Sequence, residues 1–167
     1  ISNMVTYDKK TGGRVSRPEN SNGNWNLNSA FMFNTAIDSV GMWNVNTFTN
    51  FGYTNNVSYL FLDGVTRKNY TRTTTVMERL SLSFRNSWLE VEPNGSFTYT
   101  HARNKLQSNS DLDTWIFSYG VNFNIYAPWG TSLSTGISEN SRRGFNDGSM
   151  NTNELSWNAQ ISHGFLK

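Results

Sequence analysis

The sequence predicts an all-β fold, an antiparallel up-and-down meander of about eight strands. Three observations predict it. Apolar and polar residues alternate over seven long segments, the connections alternate between short and long, and no segment repeats apolar residues at helical spacing. Alternation decides because successive side chains of a strand point to opposite faces.

In "SNGNWNLNSAFMFNTAID", which begins at Ser21, Trp25, Leu27, Phe31, Phe33 and Ile37 share one face, and Asn24, Asn26, Asn28 and Asn34 share the other. From Trp43 to Tyr59, Trp43, Val45, Phe51, Tyr53, Val57 and Tyr59 oppose Asn44, Asn46, Asn50, Thr54 and Asn56. From Thr73 to Phe84, Val76, Leu80, Leu82 and Phe84 oppose Arg79, Ser81, Ser83 and Arg85, with Glu78 a charged interruption on the apolar side. Leu89, Val91, Phe97 and Tyr99 oppose Glu90, Glu92, Ser96, Thr98 and Thr100. The clearest run is "TWIFSYGVNFNIY", where Trp115, Phe117, Tyr119, Val121, Phe123 and Ile125 oppose Ser118, Gly120, Asn122 and Asn124. Leu133 and Ile137 then oppose Ser132, Ser134 and Gly136, and Leu155, Trp157, Ala159 and Ile161 oppose Ser156, Asn158, Gln160 and Ser162. An eighth candidate, "SNMVTY", stands at residues 2–7.

Composition says what the two faces are. Only 16% of the chain is charged and 36% hydrophobic, yet 14% is aromatic, and the remaining polarity is mostly Asn, Ser and Thr. No stretch approaches the ~20 apolar residues of a transmembrane helix. A mean hydropathy of −0.57 is no obstacle to a transmembrane barrel, whose strands span with ~9–11 residues of which alternate ones are apolar. On that reading the asparagines face a solvated lumen and the apolar side chains face lipid.

The connections fit a barrel. A long polar loop from Asp8 to Asn22 precedes a short "DSVGM", a longer "FLDGVTRKNYTR", a tight link around "NSWLEVEPNG", a loop "RNKLQSNSDLD", a very short "APWG" and a long "ENSRRGFNDGSMNTN". Short turns on one side and long loops on the other are the habit of outer-membrane barrels. Trp43, Trp88 and Trp129 sit at the short turns, and Trp25, Trp115, Trp157, Tyr59 and Tyr99 are expected toward the loop ends, as two interfacial girdles. Lys9, Lys10, Arg14, Arg17, Arg67, Lys68, Arg72, Lys105, Arg142 and Arg143 are expected in the long loops.

"TGGRVSRPENSNGNWNLNSAFMFNTAID" followed by "WNVNTFTNFGYTNNVSYL" resembles the Bacteroidetes TonB-dependent receptor or outer membrane protein beta-barrel family, most specifically in "RPEN" ahead of a strand. The resemblance implies a bacterial outer-membrane location and a part in nutrient binding and import. Its partners would be outer-membrane lipid, a glycan or other nutrient, and a TonB-type energising protein reached through parts of the receptor outside this chain. Residues 1–167 then read as one barrel region without a plug domain, an interior or near-terminal slice of a larger barrel. Eight strands closing on themselves are the other arrangement, since open edges cannot stand in hydrocarbon. The short first run favours the slice.

Other functions find little support. A net charge of +2, with basic residues scattered among carboxylates, gives no phosphate-tracking stripe and no nucleic-acid partner. The absence of cysteine removes thiol chemistry and Cys-based zinc sites. His101 and His163 are the only histidines, and spacing gives neither a carboxylate partner, so both read as interfacial and the chain as non-enzymatic. "SNSDLDT" and "FNDGSMN" cluster Asp and Asn without matching a calcium loop, so no metal and no cofactor is expected. The ligand-facing candidates are therefore lumenal: Asn44, Asn46, Arg79, Arg85, Asn122 and Asn124. Two further readings are an eight-stranded barrel that anchors or adheres, and a soluble carbohydrate-binding module whose exposed Trp and Tyr stack on sugars.

Overall fold

A computed structural model describes residues 2–8 and 10–165. The chain is all-β. Two short strands, β1 (Ser2–Tyr7) and β2 (Arg14–Glu19), form a hairpin of their own. Seven more make one antiparallel meander in chain order: β3 (Trp25–Ala36), β4 (Trp43–Leu62), β5 (Val65–Arg85), β6 (Leu89–Asn104), β7 (Leu112–Tyr126), β8 (Thr131–Arg143) and β9 (Asn153–His163). Single 3-10 turns stand at Ser108–Ser110 and Gly148–Met150.

Pairing keeps the two faces apart. Trp43, Phe84, Val91, Phe123, Thr135 and Ala159 form one continuous row across β4 to β9. On the opposite face Asn34, Asn46, Ser81, Asn94, Gly120, Ser138 and Ser156 form another. A slip of one residue at any strand would mix them, so the apolar alternation itself specifies register. Pro93 marks the one break in the ladder. Its missing N–H falls between the pairs Ser81↔Asn94 and Phe84↔Val91, while β6–β7 pairing runs through Pro93↔Val121 undisturbed.

The apolar face is not covered. Among the described hydrophobic residues only Val57 is buried, while Phe31, Leu80, Trp157 and Ile161 are more than half exposed. The accessible surface is 11624 Å². A compact globular chain of 19.0 kDa would expose about 8,400 Å². The excess is the signature of a single-layer sheet, since a sandwich of this length would bury one side of each strand.

The sheet is open. No described strand pairs with the free edge of β3 or of β9, so the closed eight-stranded arrangement is not formed. The run expected as an eighth wall strand is β1, which instead pairs with β2, from Ser2↔Glu19 to Tyr7↔Arg14. The expected loop from Asp8 to Asn22 thus contains a strand, and Arg17, Pro18 and Glu19 of "RPEN" belong to it. Asp8 fixes the tight link, accepting from the Lys10 N–H at 2.8 Å and the Thr11 hydroxyl at 2.9 Å.

The expected loop "FLDGVTRKNYTR" is also strand. Asp63 and Gly64 both take positive φ, 52° and 76°, and close a two-residue hairpin with Leu62 opposite Val65. The pairings Trp25↔Asn55 and Thr71↔Asn104 are the last that β4 and β5 make with their outer neighbours. Beyond them the two strands pair only with each other and project as a free hairpin. The β1–β2 hairpin docks there: the Thr66 hydroxyl donates to the Val5 carbonyl at 3.1 Å, and the Tyr7 and Phe61 rings lie 4.8 Å apart.

Turn lengths alternate otherwise as the sequence suggests. Residues 37–42, 86–88 and 127–130 connect strands at one end, and residues 105–111 and 144–152 at the other. Aromatic placement needs two corrections. Trp157 pairs with Ile137 in the middle of β9, and Tyr59 lies on the projecting hairpin opposite Lys68. Trp25 stacks on Tyr53 at 4.8 Å and Tyr99 lies tilted against Trp115 at 4.1 Å at the loop end, while Trp43 meets Phe84 at 4.7 Å near the short turns. The basic residues stand mostly on strand extensions: Arg14 and Arg17 on β2, Arg67, Lys68 and Arg72 on β5, Arg142 and Arg143 on β8. Only Lys10 and Lys105 are in loops, and Lys9 lies outside the described residues. The strands run further past the apolar rows than the sequence suggests.

Candidate functional site

The amide-rich face is built by four neighbouring cross-strand rows. Counted toward the short turns, the first is Met32, Phe48, Arg79, Ser96, Ser118 and Asn140. The second holds Asn34, Asn46 and Asn94, the third Asn44 and, across the break at Pro93, Glu92, Asn122 and Asn158, and the fourth Arg85, Glu90, Asn124, Ser134 and Gln160. All six sequence candidates lie on this face.

The fold brings them together as two groups. Asn46 and Arg79 line a depression of 780 Å³ with Met32, Asn34, Phe48 and Asn94. Neither Asn46 nor Arg79 spends its side chain on an internal hydrogen bond or ion pair among the described residues, so both can serve a ligand. Arg85 and Asn124 belong to a second group that is satisfied internally. Arg85 donates to Glu90, through Nε at 3.1 Å and through a second nitrogen, and Asn124 Nδ2 donates to the other Glu90 oxygen at 3.4 Å. Ser134 closes the row by donating to Asn124 Oδ1 at 2.7 Å. Ser81 donates to Glu92 at 2.9 Å in the same region. Asn44 donates to the Gly41 carbonyl at 3.3 Å, and Asn122 fills the space left by the missing side chain of Gly136.

These groups can recognise an uncharged polar molecule. Arg85 is offset by Glu90, and Arg79 is the one cation among the residues lining the depression. Amides supply both donors and acceptors, and Phe48 and Met32 offer an apolar platform beside them. Phe48 and Met32 were missed by sequence reasoning, which assigned the even-numbered face to polar residues only. Their parity in "FMFN" and "NTFTN" is the signal that locates them.

His101 requires a correction. Its Nδ1 lies 2.5 Å from Asp113 Oδ1, a carboxylate partner that spacing did not reveal because it comes from the neighbouring strand through His101↔Asp113 pairing. Tyr99 donates to the same oxygen at 2.9 Å and Arg103 to the other at 2.6 Å. Among the described residues no serine or threonine hydroxyl is bonded to this imidazole. His163 meets the Thr131 hydroxyl at 2.7 Å and the Phe165 ring at 4.8 Å. In the two Asp/Asn clusters, Asp111 accepts from the Asn104 N–H at 2.6 Å, and Asp147 caps a 3-10 turn through the N–H and hydroxyl of Ser149. The Ser149 hydrogen bonds hold the Asp147 carboxyl below its ordinary value. Among the described residues no three His, Cys, Asp or Glu side chains converge on one point.

No protein-family model matches the chain, and no curated protein matches it.

Proposed function

We propose that the chain is part of the wall of a bacterial outer-membrane β-barrel of the TonB-dependent receptor kind, and that its amide-rich face lines a lumen binding an uncharged polar nutrient such as a glycan. The observation that carries the reading is the uncovered apolar face with aromatic residues at both ends. On β7 that face runs from Trp115 to Ile125, and on β6 from Leu89 to Tyr99. Ten steps of strand cover about 34 Å, which at a tilt of ~45° spans about 25 Å, the height of a barrel's lipid-facing band. A seven-stranded sheet with two free edges needs further strands to stand in hydrocarbon, so the meander is read as one segment of a larger barrel.

Refolding of the whole chain from urea, with and without detergent micelles and followed by far-UV circular dichroism, tests the reading. Sheet signal that forms only with micelles supports it. A monodisperse, cooperatively folded β protein in plain buffer would overturn it in favour of a soluble sugar-binding module.

A further inference from the structure

Where the apolar face ends on the loop side, charge begins abruptly. On β5 the residue sequence on that face is Val76, Thr74, Arg72, Tyr70 and Lys68, and on β6 it is Tyr99, His101 and Arg103, with Lys105 just past the strand. Tyr70, Arg72, Arg103, Asn104, Lys105 and Asp111 line a cavity of 650 Å³. It lies on the outward side of the sheet, away from the amide rows.

The cations of this cavity are not equally engaged. Arg103 is held by Asp113 at 2.6 Å and lies 3.8 Å from Asp111. Arg72 is exposed and its guanidinium has no hydrogen-bond or ion-pair partner among the described residues. The Lys105 ammonium stands 5.4 Å from the centre of the Tyr70 ring, and that of Lys68 5.5 Å from it. Tyr70 thus holds two ammonium groups beside Arg72, and since Asp111 and Asp113 both stand against Arg103, a local excess of positive charge is left.

We infer that this cavity is a binding site for the phosphorylated headgroup of a membrane lipid. The inference rests on the membrane reading above and adds a ligand to the outer wall. Place and chemistry argue together. The cavity follows the Tyr99–Trp115 aromatic pair that ends the apolar face, so an amphiphile whose chains lie along Phe97 and Phe117 presents its headgroup at this height. Arginine binds phosphate through paired N–H donors, and lysine as a point charge. Basic side chains at a membrane surface attract anionic lipid.

The test uses the whole chain refolded in maltoside micelles, with sheet content checked first by circular dichroism. It is then titrated with phosphatidic acid, with phosphatidylcholine and with inorganic phosphate, following tryptophan emission. Phosphatidic acid is expected to bind saturably and at least tenfold more tightly than phosphatidylcholine. Inorganic phosphate at equal concentration is expected not to compete. Arg72→Gln with Lys105→Gln should weaken phosphatidic acid on the order of thirtyfold. Arg14→Gln with Arg67→Gln, which removes the same charge elsewhere, should not. A folded chain that binds both lipids alike, or that loses affinity equally in both double variants, overturns the headgroup site while leaving the membrane reading intact. Competition by inorganic phosphate would make the site one for a soluble anion and overturns the lipid claim. A chain that folds cooperatively in plain buffer overturns the membrane reading, and the headgroup site with it.

Discussion

Glu78 stands on the apolar face of the sheet with its Oε1 2.6 Å from the Thr47 hydroxyl. Its other oxygen accepts from Thr49 at 2.5 Å, and across the face Glu139 accepts from Tyr119 at 2.7 Å. Both carboxylates therefore keep hydroxyl donors on a face that is otherwise mostly apolar, which offsets part of the penalty of that setting.

If that setting is lipid, the carboxylate contributes less to stability than a side chain of matching polarity would. Glu78→Leu should leave unchanged or raise the temperature at which the micelle-bound sheet melts. A clear fall in melting temperature would show that the face needs the charge and is wet.

The two faces should differ sharply in tolerance for charge. Val121 lies midway along the apolar face of β7, and Asn122 follows it on the amide face. Val121→Arg should destabilise the micelle-folded chain by about 2–4 kcal/mol, the range for a cation near the midplane of a barrel's lipid face. Asn122→Arg should change urea resistance little. Equal effects would contradict the assignment of faces.

The division of faces was legible in the sequence because parity is local: "TWIFSYGVNFNIY" fixes which side Phe117 and Ser118 take without reference to any other strand. Register is not local. His101 and Asp113 meet only because β6 and β7 pair with Pro93 opposite Val121, and no spacing rule reports that. The β4–β5 hairpin was readable and missed. "DG" between alternating runs is a strong turn signal, but the charged "TRKNY" after it suggested a loop where the structure continues the strand. The β1–β2 hairpin was hidden for a different reason, since its six-residue strands carry little apolar alternation. Of the candidate site, the amides were legible, whereas the division between Asn46 and Arg79, which make no internal side-chain bond among the described residues, and the internally bonded Arg85 and Asn124 depends on both of the latter meeting Glu90 of β6, which parity does not report.

Asp38 shapes the turn between β3 and β4. Its carboxylate accepts the Trp43 N–H at 2.9 Å and the Met42 N–H at 3.1 Å, and the Trp43 bond above all holds its pKa below the ordinary 3.8. A group with a lowered folded value contributes stability that is complete above the unfolded value and lost as pH falls through the folded one. The Trp43 amide resonance should therefore stay constant from pH 7 to about 4 and move only below that. In Asp38→Ala the movement should vanish.

Gly120 and Gly95 give a paired test of packing between strands. A side-chain carbon at Gly120 would lie 2.6 Å from the Ile137 carbonyl oxygen and 2.8 Å from Ser138 Cβ, whereas at Gly95 the nearest atom is 3.8 Å away. Gly120→Ala should lower stability by about 1–3 kcal/mol through strain at the β7–β8 pairing. Gly95→Ala should be neutral or slightly stabilising. Urea denaturation of the micelle-folded variants distinguishes the two.

The most direct measurement is a cysteine scan of β7, made clean by a chain that has no cysteine of its own. Each residue from Trp115 to Ile125 is replaced in turn, the variants are refolded into lipid bilayers, and labelling by a water-soluble maleimide is measured. A barrel wall gives a period of two, with Phe117, Tyr119, Val121 and Phe123 positions protected and Ser118, Gly120, Asn122 and Asn124 positions labelled. Uniform labelling, or protection that does not follow the bilayer, would contradict a wall with lipid on one face and water on the other.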